Sequence, residues 1–303
     1  MQYQQTLKRP AICAGPGVHK GVKSRLLLKP APSDQGLCFI RTDIRDRPNQ
    51  IMAASRSVSD TRLGTTLTNA AGVSVAVVEH LLAACAGLGV DNLTIEIDGP
   101  EVPIMDGSSA LYCDLMLEAG LQTQAGLRRR IRILEPIEIR DGRKSASLLP
   151  SADDFLTMRA RIEFDNPVIG VQQMALRLTP GAFARDLAFA RTFGFAADVE
   201  RLKTMGLARG GSLDNAVVLD GDAIMNPEGL RCSDEFVRHK ALDAIGDLSL
   251  AGGPIAGIYD VVQPGHGLNN ALVRKLLDTP EAWCWECDSM AGEDIAYAAA
   301  ARL

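Results

Sequence analysis

No run of about 18 apolar residues occurs anywhere in this chain, so no membrane-spanning helix is expected. The first ten residues, Met1 to Pro10, contain no apolar core of a secretory leader, and a cytoplasmic location is expected. Basic charge is not in excess either. With 32 Lys and Arg against 37 Asp and Glu, the formal net charge is −5, which argues against a general nucleic-acid binder. Several catalytic signatures are missing. There is no G-K-[ST] phosphate loop, and Gly15-Pro16-Gly17-Val18-His19-Lys20-Gly21 is one residue off G-x-G-x-x-G and reads as a turn. Neither a G-x-S-x-G elbow nor an H-E-x-x-H motif is present, which leaves serine-nucleophile and common zinc-protease chemistry without support. The seven cysteines are scattered, as reduced thiols are. Cys284-Trp285-Glu286-Cys287 has the C-x-x-C spacing but no second pair and lies in a strand-like run.

Histidine is also rare, with only four: His19, His80, His239 and His266. Around one of them the sequence is most informative. In Asp234 to Leu248, helical periodicity places His239, Asp243 and Asp247 at four-residue steps. With Lys240 they occupy an arc of roughly 100°, while Val237, Ala241, Leu242, Ala244, Ile245 and Leu248 fill the rest of the wheel. A His and an Asp at i, i+4 are able to ligate one metal ion, although a surface salt bridge has the same spacing. His80 follows Glu79 at the start of a second apolar run, and His266 lies in the loop-like Gly265-His266-Gly267. Two His and one carboxylate make a three-ligand set that leaves a fourth position for water.

The length fits one large or two medium domains. Strands are expected at Ser24 to Pro30, Gly36 to Arg41, Asp91 to Ile97, Arg130 to Ile139, Ser145 to Leu149, Phe155 to Phe164 and Ala216 to Asp220. Helices are expected at Glu79 to Gly87, Ala110 to Gly120, Asp198 to Leu207, residues 233–250 and Asn269 to Thr279. Polar Leu121 to Leu127 reads as a linker, dividing the chain into residues 1–125 and 126–303. Strands in runs with helices inserted favour an α+β fold over a doubly wound one.

Six blocks then stand together: Gly17 to Gly21, Val78 to Ala84, Pro100 to Ser108, Arg191-Thr192-Phe193-Gly194-Phe195, Glu235 to Asp247 and Gly265 to Asn270. In this order, over about residues 7–270, the chain resembles the UDP-3-O-acyl-N-acetylglucosamine deacetylases, zinc amidases of lipid A biosynthesis. The resemblance implies two similar α+β domains, each a sheet layered on helices, with the active site between them. It implies Zn²⁺, or Fe²⁺, held by His80, His239 and Asp243. It gives Glu79 the part of general base, His266 that of general acid, Asp247 that of the carboxylate orienting His266, and Thr192 that of an oxyanion donor. Lys240 becomes a cation near the substrate and its phosphates.

Substrate contacts are implied for His19, Leu63, Lys144 and Gly265, and for the aromatic residues Phe164, Phe193 and Phe195. An acyl passage formed by about residues 196–220 implies Asp198, Val199, Ala208, Gly211, Ser212 and Val218. The expected partner is a UDP-linked, acylated amino sugar, bound by a monomer. Gln263-Pro264 stands where the family often carries a basic residue, and Asn166 where it often has His. Two alternatives share the ligand set: an iron(II) oxygenase with a 2-His-1-carboxylate site, and a non-enzymatic sugar-nucleotide or lipid-binding protein with a structural metal.

Overall fold

The computed structural model describes residues 3–287. The fold is α+β, with several sheets packed against six helices among the described residues: α1 (Glu79–Leu88), α2 (Ala110–Ala119), α3 (Pro180–Asp186), α4 (Ala196–Thr204), α5 (Glu235–Ser249) and α6 (His266–Leu277). A five-stranded sheet runs in the order Ala11–Pro16, Lys23–Pro30, Leu93–Ile97, Leu37–Arg41, Gln50–Met52. Its strands alternate, so that Leu26, Leu28, Phe39, Leu93, Ile95 and Ile97 are buried while Ile12 and Arg25 reach solvent. A seven-stranded sheet is centred on Ile255–Val262. That strand pairs in parallel with Leu156–Glu163 and Arg129–Ile133 and antiparallel with Lys144–Leu149.

Between the sheets lies the helical centre. α1 packs on α5, α2 and α3, and α5 packs on α6 and on strands Leu156–Glu163 and Val171–Arg177. Nearly all of α1 is buried, which explains why its sequence is apolar around the whole wheel. Gly246 is what lets the two central helices meet. A Cβ there would overlap the carbonyl oxygen of Glu79 at the first turn of α1. The residue that would weaken an isolated helix is therefore the one that draws α5 against Glu79 and His80.

Several expectations are corrected. Leu121–Leu127 is not a linker but a strand, paired antiparallel with Tyr3–Leu7. Arg130 to Ile139 is two strands, Arg129–Ile133 and Ile137–Asp141, interrupted around Pro136, which has no N–H to donate to a ladder. Gly87 does not stop α1. The helix ends at Gly89, whose φ of 78° closes it, and Gly87 is small because the Phe183 ring occupies the space of a side chain. Cys284 and Cys287 lie on strand Trp283–Cys287, where residues three apart face opposite sides, so they form no chelate. All seven cysteines are free thiols.

Candidate metal centre and cleft

The N-terminus of α1 and the middle of α5 bring three side chains to one point. His80 Nε2 lies 3.4 Å and His239 Nε2 3.3 Å from Asp243 Oδ1. One ligand atom from each residue can be chosen so that all three lie within 4.8 Å of one another. The residues are 4, 2 and 3 % exposed, so this is not a surface salt bridge. Asp243 Oδ1 and His80 Nδ1 are buried without a hydrogen-bond partner, a costly arrangement if nothing else satisfies them. Donor atoms about 2.0–2.1 Å from a tetrahedral ion stand roughly 3.3–3.4 Å apart. The observed spacing to Asp243 and the orphaned carboxylate oxygen fit a divalent metal. His239 Nδ1 lies 3.1 Å from the carbonyl oxygen of Ala190, which fixes the ring with Nε2 toward Asp243. Burial lowers His239 to about 3, an effect that Asp243 opposes and His80 and Lys240 reinforce, so the imidazole is held in the neutral form that ligates metal. Asp243 stays ionised: against the cost of burial, the neighbouring His239 imidazole, the Lys240 ammonium and the approach of His80 hold its carboxyl well below the usual range.

Beside the triad a carboxyl group and an imidazole stand face to face. Glu79 opens α1, and His266 opens α6 as its first residue rather than sitting in a loop. Their side chains face each other, with His266 Nε2 3.8 Å from Glu79 Oε1. The other Glu79 oxygen, Oε2, accepts the Thr65 backbone N–H at 2.9 Å. Burial raises the Glu79 carboxyl above its ordinary range, partly offset by His266 and His80. Behind His266, Asp247 Oδ2 lies 2.9 Å from Nδ1 and also accepts from Asn269 Nδ2, while the Tyr259 hydroxyl donates to Asn269 Oδ1. Burial works against charge on His266, but the carboxylates of Asp247, Glu79 and Asp243 outweigh it and raise the imidazole to about 10.

A cavity of about 500 Å³ opens from these groups. Among its lining residues are Glu79, His80, Thr192, His239, Lys240, Asp243 and His266, together with His19, Leu63, Phe193, Val199, Ala208, Gly211, Ser212 and Val218. Away from the triad its wall is mainly apolar, built from Leu202, Leu213, Ala216, Val218 and Met225 around α4 and strand Val217–Asp220. Thr192 is held by its backbone between Gly107 and Val217. Lys240 Nζ stands 3.3 Å from Asp243 Oδ2 and over the Phe193 ring at 5.5 Å. The turn carrying His19 is tied to the far loop by Arg209 N–H to His19 O and Gly210 N–H to Val18 O.

Other expected contacts lie elsewhere. Phe164 and Phe195 are not part of the lining; Phe164 packs edgewise on Phe193 and tilted against Phe195. Asp198 is turned to solvent and pairs with Arg201. Lys144 is exposed at the hairpin end opposite Asp141, and Gly265 caps α6. Sequence reasoning missed Thr65, Asn269 and Tyr259. Asn269 stands one helical turn after His266, a spacing that could have found it; Thr65 carried no such signal.

The model of the UDP-3-O-acyl N-acetylglycosamine deacetylase family matches residues 4–278. A protein of Phenylobacterium zucineum (strain HLK1), named UDP-3-O-acyl-N-acetylglucosamine deacetylase, is 51% identical over 281 residues, covering 93% of this chain and 95% of its own. Proteins of the same name from Myxococcus xanthus (strain DK1622) and Histophilus somni (strain 129Pt) are 49% identical over 283 residues and 46% over 282. They cover 93% and 92% of this chain, and 88% and 92% of their own length.

Proposed function

The chain belongs to the UDP-3-O-acyl-N-acetylglucosamine deacetylase family, and from that premise we propose that its cleft hydrolyses the acetamide of a UDP-3-O-acyl-N-acetylglucosamine, releasing acetate, in lipid A biosynthesis. The observation that carries the reading is the buried His80–His239–Asp243 triad with Glu79 and His266 on its flank and an apolar cavity leading away. An amide is a weak electrophile with a poor leaving group, so it needs help at the carbonyl, at the water and at the nitrogen. A divalent ion held by His80, His239 and Asp243, zinc in this reading, would polarise the carbonyl and make water a better nucleophile.

The remaining work falls to the chain's own groups. Glu79 Oε2 is anchored by the Thr65 amide, which leaves Oε1 to take the proton of the attacking water. The Thr192 side chain lines the same cavity and supplies a hydroxyl to the oxygen on which charge develops. His266, held cationic by the carboxylates around it, gives a proton to the departing sugar amine, and Asp247 keeps its ring oriented. Lys240 offers positive charge at the edge of the cavity for the anionic substrate. The apolar wall between α4 and strand Val217–Asp220 takes the acyl chain. An oxygenase would have no use for the Glu79–His266 pair. Action as a monomer in the cytoplasm belongs to the same reading, and sedimentation of the purified chain checks the oligomeric state.

The test is acetate release from the acylated substrate by metal-loaded protein, beside UDP-N-acetylglucosamine lacking the acyl chain. Turnover of the acylated compound alone is expected. Equal turnover of both would remove the acyl passage from the reading, and turnover of neither would remove the deacetylase.

A further inference from the structure

Thr65 joins the two halves of the Glu79–His266 pair, and nothing in its sequence surroundings announced it. It is 1 % exposed and directly precedes strand Thr66–Thr68. Its backbone N–H donates to Glu79 Oε2 at 2.9 Å, and its carbonyl accepts from Val78 N at the start of α1. Its hydroxyl points the other way and donates to Asp247 Oδ1 at 2.5 Å. Asp247 Oδ2 is the oxygen facing His266 Nδ1. The preceding Gly64 completes the arrangement: with φ of 140°, a Cβ there would stand 2.7 Å from Glu79 Oε1, the oxygen that faces His266.

We propose that Thr65 is a positioning residue for the acid–base pair, its amide setting the Glu79 carboxylate and its hydroxyl setting the Asp247 carboxylate that orients His266; this rests on the deacetylase reading above. The physical argument is one of lone pairs. A carboxylate that must hold an imidazole in one orientation is itself free to rotate unless its second oxygen is engaged. Asp247 has both oxygens engaged: Oδ2 by Asn269 and His266, and Oδ1 by Thr65. Without the hydroxyl, Oδ1 is left buried with an unmet acceptor, and rotation about the Asp247 side chain becomes the cheapest way to satisfy it. The same segment fixes the distance between Glu79 and Asp247, because one residue grips both. Thr65 is neither among the residues lining the cavity nor in the metal triad, so its effect is expected in turnover and not in binding.

Thr65→Val keeps the amide and nearly the volume but removes the donor, and Thr65→Ser keeps the donor. For metal-loaded protein acting on the acylated substrate, Thr65→Val is expected to lower kcat about 10- to 100-fold, as for loss of a hydrogen bond to a charged group. KM and metal content should stay within about twofold. Thr65→Ser should return kcat to within about threefold of the wild type. If the Val variant does not fold, Thr65→Ala makes the same comparison. Wild-type kcat in the Val variant overturns the proposal. So does a Ser variant as impaired as the Val variant, or a kcat loss that follows loss of metal. The wild type measured alongside separates two failures: no acetate from it overturns the deacetylase reading and this proposal together, whereas equal acetate from wild type and Val overturns only the positioning role.

Discussion

Replacing Gly246 by Ala tests whether the meeting of α1 and α5 builds the site. Ala in place of Gly inside an ordinary helix stabilises by about 0.5–1 kcal/mol, because Gly loses more chain entropy on folding. Here the added Cβ overlaps the Glu79 carbonyl oxygen, a backbone atom that no rotamer change moves aside. Ordinary contact requires roughly another 1 Å of separation. Overpacking of this kind costs about 1–3 kcal/mol, so the helix gain is outweighed and a net loss of roughly 1–2 kcal/mol is expected, a few degrees in Tm. The shift has a direction. It separates α5, which carries His239 and Asp243, from the α1 turn that carries Glu79 and His80, and the 3.4 Å approach of His80 Nε2 to Asp243 Oδ1 opens. A misplacement of about 1 Å at reacting groups costs up to about 10²-fold in rate. The measurements are thermal unfolding, retention of metal against a chelator, and kcat for acetate release. A Gly246→Ala protein with raised Tm, unchanged metal retention and wild-type kcat would refute the reasoning.

His80→Ala, His239→Ala and Asp243→Ala should each lose tightly held metal, measured on purified protein, and full retention in all three would remove the site. Glu79→Gln and His266→Ala should keep metal and substrate affinity but lose roughly 10²-fold or more in kcat; near-normal kcat in either would relieve that residue of its role. The kcat/KM profile should be bell-shaped. On that assignment the acid limb is expected above the ordinary carboxyl range, with Glu79 acting ionised and raised by burial, and the alkaline limb is expected near 10, where His266 would lose its proton. Asp247→Asn takes away a charge that holds that proton, so the alkaline limb should move to lower pH, and an unmoved limb would contradict the assignment. Val218→Phe, on the cavity wall, should shorten the preferred acyl chain, with up to about fourfold in kcat/KM per methylene that no longer fits. Ala208→Phe is the poorer probe, because Ala208 has a φ of 52° and a bulky residue there adds backbone strain.

Much of the centre was legible because helical spacing is a strong constraint. His239, Asp243 and Asp247 share a face by arithmetic alone, and the structure turns the first two into the cleft and sets Asp247 behind His266. What spacing does not contain is the partner of that face. Nothing local says that α1 delivers His80 to Asp243, since the contact depends on Gly246, which viewed along the chain is only a poor helix former. Strand Ile255–Val262 was missed for a related reason. It is the middle of its sheet, buried at most positions, so it lacks the alternation that marks a half-exposed strand. Leu121–Leu127 failed in the opposite sense. It belongs to a two-stranded ribbon and stays largely exposed, so its composition is that of a loop while its backbone pairs with Tyr3–Leu7.

Backbone strain points to the same place as the chemistry. Among the described residues five other than glycine have positive φ: Asp34, Val77, Met105, Ala208 and Gln263. Asp34 is in a turn where such a residue is at ease. Val77 and Ala208 line the cavity, Met105 adjoins its lining residue Ile104, and Gln263 stands three residues before His266. A β-branched residue such as Val77 in this region costs of order 1–3 kcal/mol and persists only where its surroundings over-determine it. The surroundings of Val77 do so. Val78 behind it is fully buried, the Val78 amide is bonded to Thr65, and Ala76 exchanges backbone bonds with Pro100 and Val102. Relaxing the strain would require α1 to start elsewhere, and Glu79 and His80 would then leave the reach of His266 and Asp243. The strain at Val77 is thus coupled to the positions of Glu79 and His80, and the hydrogen bonds of Thr65, Ala76 and Val102 are what hold it in place.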